Sequence, residues 1–337
     1  MKTIAFFNNK GGVGKTTLVY HLAHMLPRLG YRTLAVDLDP QANLTTAFFD
    51  EERLEQLWDA DTGTIMACVE PILEGTGDAR PAVPQRITQD LWVIAGNLGL
   101  SRFEDRLSEA WPKGYNNDQA ALRTTSAFFR LIAQVGASME AAAVLVDVGP
   151  NLGAINRAAL LAADFLVIPL AADLYSLQGL KNLGPTVRTW RQQWRQVRSL
   201  VSTTIDLPEA SMEPAGYIVL QHAVRLDRPV RAYAKWLARI PTVYRQMVLG
   251  LPGNDAAGSD EHCLASLRNF RSLMPMAQDS RKPMFDLRPA DGAIGSHARL
   301  AQVCAQEFAD LTKRLAKRCD LVPSVSREQD GSRARLP

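Results

Sequence analysis

Cysteine is scarce in this chain. The four cysteines among its 337 residues, Cys68, Cys263, Cys304 and Cys319, include no Cys-x-x-Cys pair. Such spacing signals neither a disulfide framework nor a zinc or iron–sulfur site, and reduced thiols are the expectation. Long apolar runs are lacking as well: none reaches the ~18 residues of a membrane-spanning helix. The most apolar stretch, 158–172, is broken by Asp164 and Pro169 and reads as a helix end followed by a buried strand. The N-terminus passes from Met-Lys straight into a strand-like run, where a secretory signal would need an apolar segment. These absences predict a soluble chain with no membrane partner.

What is present is ordinary for a globular protein, with 47% apolar and 22% charged residues. No repeat and no clear linker is visible, so a single domain over 1–320 is expected. The polar, Pro/Ser/Arg-rich tail 321–337 is expected to be disordered, and segments 50–90 and 250–290 read as less regular. Elsewhere apolar runs alternate with helical patterns. The runs are "TIAFFN" (3–8), "RTLAVDLDP" (32–40), "LWVIAG" (91–96), "AAAVLVDVGP" (141–150), "DFLVIPL" (164–170) and "AGYIVLQ" (215–221). Continuously apolar strands between helices predict an α/β fold, with a mainly parallel central sheet covered by helices on both faces. Ligands then sit at the carboxyl ends of the strands, where Asn8, Asp37, Asp39 and Asp147 fall.

The first run meets "NNKGGVGKTTL" (8–18), and a helix is expected over 15–29. The phosphate-loop pattern G-x-x-x-x-G-K-[ST] would place its first glycine at position 9, which is Asn9. Gly11, Gly12 and Gly14, with Val13 among them, still allow backbone N–H groups to converge on phosphate oxygens at a helix N-terminus. Lys15 can neutralise β- and γ-phosphates, and the Thr16 hydroxyl can ligate Mg²⁺. Lys10 is a second cation at the mouth of the loop. By residue type alone it reads as a surface lysine paired with a nearby acid. Asp37 and Asp39 lie two apart on one strand and share a face, although Asp39 before Pro40 can also begin a turn. Asp147 ends a buried apolar run, which is costly for a lone acid without a cation or hydrogen-bond partners.

The run K-G-G-x-G-K-T-T at 10–17 resembles the deviant Walker A ATPases, and "VDLDPQANLT" (36–45) and "LVDVGPNLGAINRAALLAADFLVIPLAADLYSLQGL" (145–180) resemble the ParA branch of the MinD/ParA/Mrp superfamily. The likeness is strong over 1–50 and 141–184 and weaker through 91–108, the 215–220 strand and the C-terminal helix. It implies a P-loop NTPase fold and slow, Mg²⁺-dependent ATP hydrolysis. In that family the opening lysine crosses to the nucleotide of a second subunit, which makes Lys10 part of an ATP-dependent homodimer. By resemblance the nucleotide is held by Lys10, Gly11, Gly12, Val13, Gly14, Lys15, Thr16 and Thr17. Lys10, Lys15 and Asp39 would serve the reaction, with Asp39 positioning water, and Thr16, Asp37 and Asp147 would serve Mg²⁺. Gln221 and Pro275 stand roughly where the family places its base contacts. One departure is Asp147-Val148-Gly149-Pro150, where the family carries two prolines; Gly149 is expected to loosen this switch.

Charge is unevenly spread. Between 176 and 250 eleven Lys/Arg face four Asp/Glu, a net +7 in a chain of +3, so the remainder is −4. In 186–201, Val187, Trp190, Trp194, Val197 and Val201 form an apolar stripe at helical spacing, with Arg188, Arg191, Arg195 and Arg198 one position on. In 225–240, Arg228, Arg231, Lys235 and Arg239 repeat the spacing. Such bands are either solvated helix faces or contacts for nonspecific DNA. The family binds DNA through late basic helices. The resemblance therefore implies a cytoplasmic, nucleoid-associated partition ATPase whose hydrolysis a ParB-like or cargo-adaptor protein stimulates. A MinD-like membrane-positioning ATPase would need an amphipathic C-terminal helix, and a metal-cluster carrier would need paired cysteines. A biosynthetic ligase, or an orphan regulatory or defence ATPase, remains open at the level of sequence.

Overall fold

Adjacent residues of the first strand enter opposite cores. Ile4 and Phe6 are buried in one apolar cluster and Ala5 and Phe7 in the other. A strand whose two faces are both buried reads as continuously apolar. The computed structural model describes residues 1–60, 63–220, 230–252, 260–270 and 272–324, with backbone only at 230–233.

Chain order begins β1 (Lys2–Phe6), α1 (Lys15–Arg28), β2 (Thr33–Leu38), α2 (Asn43–Phe48), α3 (Glu51–Asp59), α4 (Ile65–Glu74), β3 (Gln85–Thr88) and β4 (Leu91–Ile94). It continues with α5 (Phe103–Lys113), α6 (Gln119–Thr125), α7 (Ala127–Ser138), β5 (Ala143–Val148), α8 (Ala154–Leu161), β6 (Phe165–Ala171) and α9 (Leu174–Leu200). The last elements are β7 (Glu213–Leu220), α10 (Val230–Leu237), α11 (Ile240–Val243), β8 (Cys263–Leu267), α12 (Met274–Ser280) and α13 (Ser296–Arg318). The strands form one sheet in the order β3-β4-β2-β5-β1-β6-β7-β8. All pair in parallel except β3, which runs antiparallel to β4 at the edge. Residues of α5, α7, α8 and α9 contribute to one core cluster, and residues of α1 and α13 to the other.

The order places β1 between β5 and β6, with the chain leaving first toward β2 and later toward β7. The loop after β1 therefore lies at the switch point, beside the end of β5.

The predicted strands and the split of 158–172 into α8 and β6 are observed. The two segments read as less regular both hold regular elements. Segment 50–90 holds α3 and α4, capped by the side chains of Asp50 and Thr64, and the edge strand β3. Segment 250–290 holds β8 and α12. The start of the tail is placed too: Leu321 is buried and the Ser324 N–H donates to Gly30 O at 3.0 Å. Residues 325–337 lie outside the described residues. No helix among the described residues is long and apolar enough to cross a membrane.

Candidate functional site

Gly14 closes the loop after β1 in the left-handed region, φ 89°, and no side chain caps α1 behind it. A Cβ at Gly14 would also stand 3.2 Å from Leu220 Cδ1, so glycine serves both the turn and the packing. No acid sits in the first turn of α1. Its leading N–H groups thus keep their donor capacity and positive field for an external anion. They face a cavity of about 600 Å³ bordered by Lys10 through Thr17.

Lys15 and Thr16 converge on one buried acid. Lys15 Nζ lies 2.5 Å from Asp147 Oδ1, and Thr16 Oγ1 donates to Asp147 Oδ2 at 2.7 Å. Asp147 is fully buried, which raises its pKa; the Lys15 ammonium and the Thr16 hydroxyl oppose that shift. The sequence argument that this acid needs a cation is met within the chain.

The two acids of β2 separate. Asp39 borders the cavity, where it is the sole carboxylate of the wall among the described residues, and its Oδ1 accepts the Gln41 N–H at 3.0 Å. Asp37 is not on the cavity wall. Its carboxylate accepts the Thr45 N–H and hydroxyl at 2.8 and 2.7 Å and the Asp39 N–H at 3.2 Å, all in the interior. Burial, then the nearby Asp147 charge, pushes Asp37 up to about 7. The Asp37 oxygens, expected to support the Mg²⁺ shell, are engaged at the N-terminal turn of α2, off the cavity wall.

Lys10 also finds a partner. Its ammonium hydrogen-bonds the Asp173 carboxylate and lies 5.8 Å from the centre of the Tyr175 ring. Asp173 caps α9 by accepting the Ser176 N–H at 2.8 Å. Burial would raise the Asp173 pKa, but hydrogen bonds from Lys10 and Ser176 hold it below the usual carboxylate range. Sequence reasoning passed over Asp173, whose one local signal was a cap acid three residues before a serine.

Gly149 has a steric role that the sequence did not reveal. A Cβ there would stand 3.3 Å from Asp39 Oδ1, so the missing side chain leaves room for that acid. The buried Asn156 amide donates to Gly149 O at 2.8 Å and to Asn151 O at 2.6 Å. The loop expected to be loosened by Gly149 is tied back by these two bonds.

A second, largely apolar cleft of about 390 Å³ adjoins the first. Leu220, Phe270, Pro275, Met284 and Phe308 border it, and Gly14, Thr17, Met274 and Gln278 border both. Pro275 thus borders this cleft, whereas Gln221 lies outside the described residues. The α12 wall is tied to α1: Tyr20 Oη donates to Arg281 O at 3.1 Å, and His21 Nε2 accepts the Met284 N–H at 3.0 Å.

The predicted apolar stripe on α9 is observed, with Val187, Trp190, Trp194 and Val197 buried. The flanking arginines differ. Arg188 donates to Met247 O and Val248 O, in a π-helical turn (Tyr244–Leu249) that a Cβ on Gly184 would displace at 1.9 Å. Arg198 forms a two-pronged pair with Glu209. Arg195 is exposed and Arg191 half-buried, its Nε unpartnered. Burial, then the Arg195 charge, depresses the Arg191 pKa. On α10, Lys235 and Arg239 are exposed and lie 5.5 and 5.3 Å from the Trp236 ring centre. Arg228 and the Arg231 side chain lie outside the described residues.

Comparison with known proteins agrees with this geometry. Residues 1–200 match the family described as AAA domain. The chain is 33% identical over 188 residues to the sporulation initiation inhibitor protein Soj of Bacillus subtilis, a match covering 56% of this chain and 65% of Soj. It is 28% identical over 251 residues to protein IncC of Escherichia coli, covering 74% of this chain and 59% of IncC. The chain thus spans about 65% and 59% of the lengths of these two relatives. An ATP complex of McdA from Cyanothece superposes with a TM-score of 0.64 at 16% identity, covering 97% of this chain and 99% of McdA. With its loop, its buried Lys15–Asp147 pair and its switch-point cavity, the chain belongs to the ParA-type P-loop ATPases of the MinD/ParA group.

Proposed function

We propose that this protein is an ATP-gated partition or positioning ATPase. Two copies close over two Mg²⁺-ATP molecules, the closed pair holds nonspecific DNA, and slow hydrolysis stimulated by a ParB-like or cargo-adaptor protein releases it.

The observation that carries this reading is the division of labour between the two lysines. Lys15 is engaged inside the chain with Asp147, whereas Lys10 stands half-exposed at the cavity mouth, held by Asp173. A cation so placed can serve a nucleotide facing it from a second copy. Exposed Leu98, Leu152, Leu174 and Tyr175 follow the carboxyl ends of β4, β5 and β6. They supply apolar area on the same rim.

The phosphate loop and Lys15 fit a triphosphate, and the apolar cleft fits a base. Mg²⁺ would be held by the Thr16 hydroxyl, by Asp147 and by phosphate oxygens. The described residues offer no cluster of three acidic, His or Cys ligands, so the nucleotide must complete the shell. Asp39, the one carboxylate on the wall among the described residues, is placed to orient water. His21 borders the same cavity, but both ring nitrogens are engaged, with Thr17 O and the Met284 N–H. One acid and no free base suit a slow timer. For DNA, mutual repulsion between Arg191 and Arg195 is what a phosphate would relieve.

The test is DNA binding by the wild type and by Lys10→Ala with ATP, ADP or no nucleotide, across a salt series. Binding should require ATP, fall steeply with salt, and be lost in Lys10→Ala. Binding indifferent to nucleotide would remove the gating.

A further inference from the structure

Among the described residues four cations line the phosphate cavity, and three are paired within the chain. Lys15 meets Asp147, Lys10 meets Asp173, and Lys282 Nζ lies 2.7 Å from Asp291 Oδ1. The fourth is Arg281. Its residue is exposed, and among the described residues its guanidinium has neither an ion pair nor a hydrogen bond.

The backbone of Arg281 is unusual. It ends α12 in the left-handed region, φ 47°, a conformation that glycine or asparagine adopts far more readily than arginine. Strained residues of this kind persist where surrounding structure fixes them, and they concentrate at ligand clamps. Here the fixing groups are visible. The Arg281 N–H donates to Gln278 O at 3.2 Å, and its carbonyl accepts the Tyr20 hydroxyl at 3.1 Å. Three residues on, the Met284 N–H is held by His21. Tyr20 and His21 belong to α1, the helix that starts in the phosphate loop. The backbone is therefore registered against the phosphate cradle while the side chain is left without a partner.

Position along the cavity narrows the ligand. Gln278, one helical turn before Arg281, borders both the phosphate cavity and the apolar cleft, whereas Arg281 borders the phosphate cavity alone. In a nucleotide lying across both, the ribose fills the junction and the α-phosphate is the first phosphate on the Arg281 side of it.

We propose that Arg281 is a nucleotide-recognition residue whose guanidinium binds the α-phosphate of a nucleoside polyphosphate held in its own chain. This rests on the nucleotide reading above and adds a contact from the α12 wall. A charge-assisted contact at that phosphate serves ADP and ATP alike.

Calorimetric titration of the full chain with Mg²⁺-ADP and Mg²⁺-ATP tests it, using wild type, Arg281→Ala, Arg281→Lys and Arg281→Gly. Arg281→Ala and Arg281→Gly should weaken both nucleotides by about tenfold, and Arg281→Lys should recover part of the loss. Arg281→Gly should melt no lower than wild type, because glycine takes this φ without strain. Unchanged affinity in Arg281→Ala, with a wild type that binds both nucleotides, would overturn the assignment alone. So would a loss confined to ATP, which would put the guanidinium at a γ-phosphate. A wild type that binds neither nucleotide would sink the nucleotide reading itself.

Discussion

Lys10 is hydrogen-bonded to Asp173 of its own chain, although 163 residues separate them. The contact joins the mouth of the phosphate loop to the N-terminus of α9, and both side chains are partly exposed. A lysine that must reach a facing nucleotide first has to leave this acid. Under the proposed function the pair acts as a latch that holds Lys10 within its own chain, and weakening it should lower the ATP needed to close two copies.

Asp173→Asn should loosen that latch while keeping the α9 cap, since asparagine accepts a backbone N–H about as well as aspartate. A partly exposed pair is worth ~0.2–1 kcal/mol, so ATP-dependent dimerisation should occur at roughly 1.4-fold to fivefold lower ATP concentration. Sedimentation velocity across an ATP series reads this directly. An unchanged or higher midpoint contradicts the latch.

Lys15→Ala should do more than abolish nucleotide binding. It removes the ammonium beside a fully buried carboxylate, Asp147, and breaking a buried pair from one side costs ~3–5 kcal/mol. Chemical denaturation without nucleotide should show this loss, moderated by protonation of Asp147, which burial already favours. Adding Asp147→Asn in the same chain should restore much of the stability but none of the binding. If the double variant is as unstable as the single one, the pair is not what holds this region.

The basic band on α9 should split in solution as it does in the fold. Arg195→Ala should weaken DNA binding and lower the slope of log affinity against log salt by ~0.9, the value for one lost phosphate contact. Arg198→Ala should change neither quantity much, because its guanidinium is engaged by Glu209. Fluorescence anisotropy with a random duplex over a potassium chloride series distinguishes them. Equal effects from both would mean that DNA displaces the Glu209 pair.

Where signals were local and repeated, the sequence was legible. Continuous apolar runs located six strands, the Gly-rich loop located the cavity, and the three-four spacing on α9 separated Trp190 and Trp194 from the arginines. Strand β8 escaped because "CLASL" is short and carries a serine, and its pairing with β7 is irregular between Tyr217 and Ile218. The caps of α3 and α4 stood in the open at Asp50 and Thr64, in a stretch whose helical patterns precede the Gly/Pro-rich turn region at 74–85. Partnership across the chain is a different matter. That Asp37 would bond Thr45, that Asp173 would hold Lys10, and that Arg281 would take a positive φ depend on tertiary placement. No periodicity encodes them.

Acidification should open the α12 wall through His21. This imidazole is fully buried, and burial lowers its pKa to about 4, against the opposing pull of the Thr17 carbonyl and Asp286. His24, one turn on, is lowered to about 3, chiefly by burial and then by His21. Both are neutral in the folded protein at pH 7 and take a proton near 6.5 when unfolded. The unfolded chain thus binds more protons below that pH, so stability is fully present above about 6.5 and is lost as pH falls through about 4. His21 alone accounts for a loss on the order of 3 kcal/mol by pH 4. Protonated His21 presents an N–H to the Met284 N–H it now accepts from, so the Arg281 segment should separate from α1 and nucleotide affinity should fall in the same range. Asp37, held up to about 7, tilts stability the opposite way between its ordinary value and 7, which blurs the wild-type profile. His24→Phe resolves it. His24 packs between Tyr20 and Phe48, and its buried Nε2 has no partner. The substitution should hold or raise the melting temperature at pH 7 and reduce the acid loss without cancelling it. An acid profile identical to that of the wild type would mean that His24 is already charged in the fold and that the buried pair does not govern acid stability.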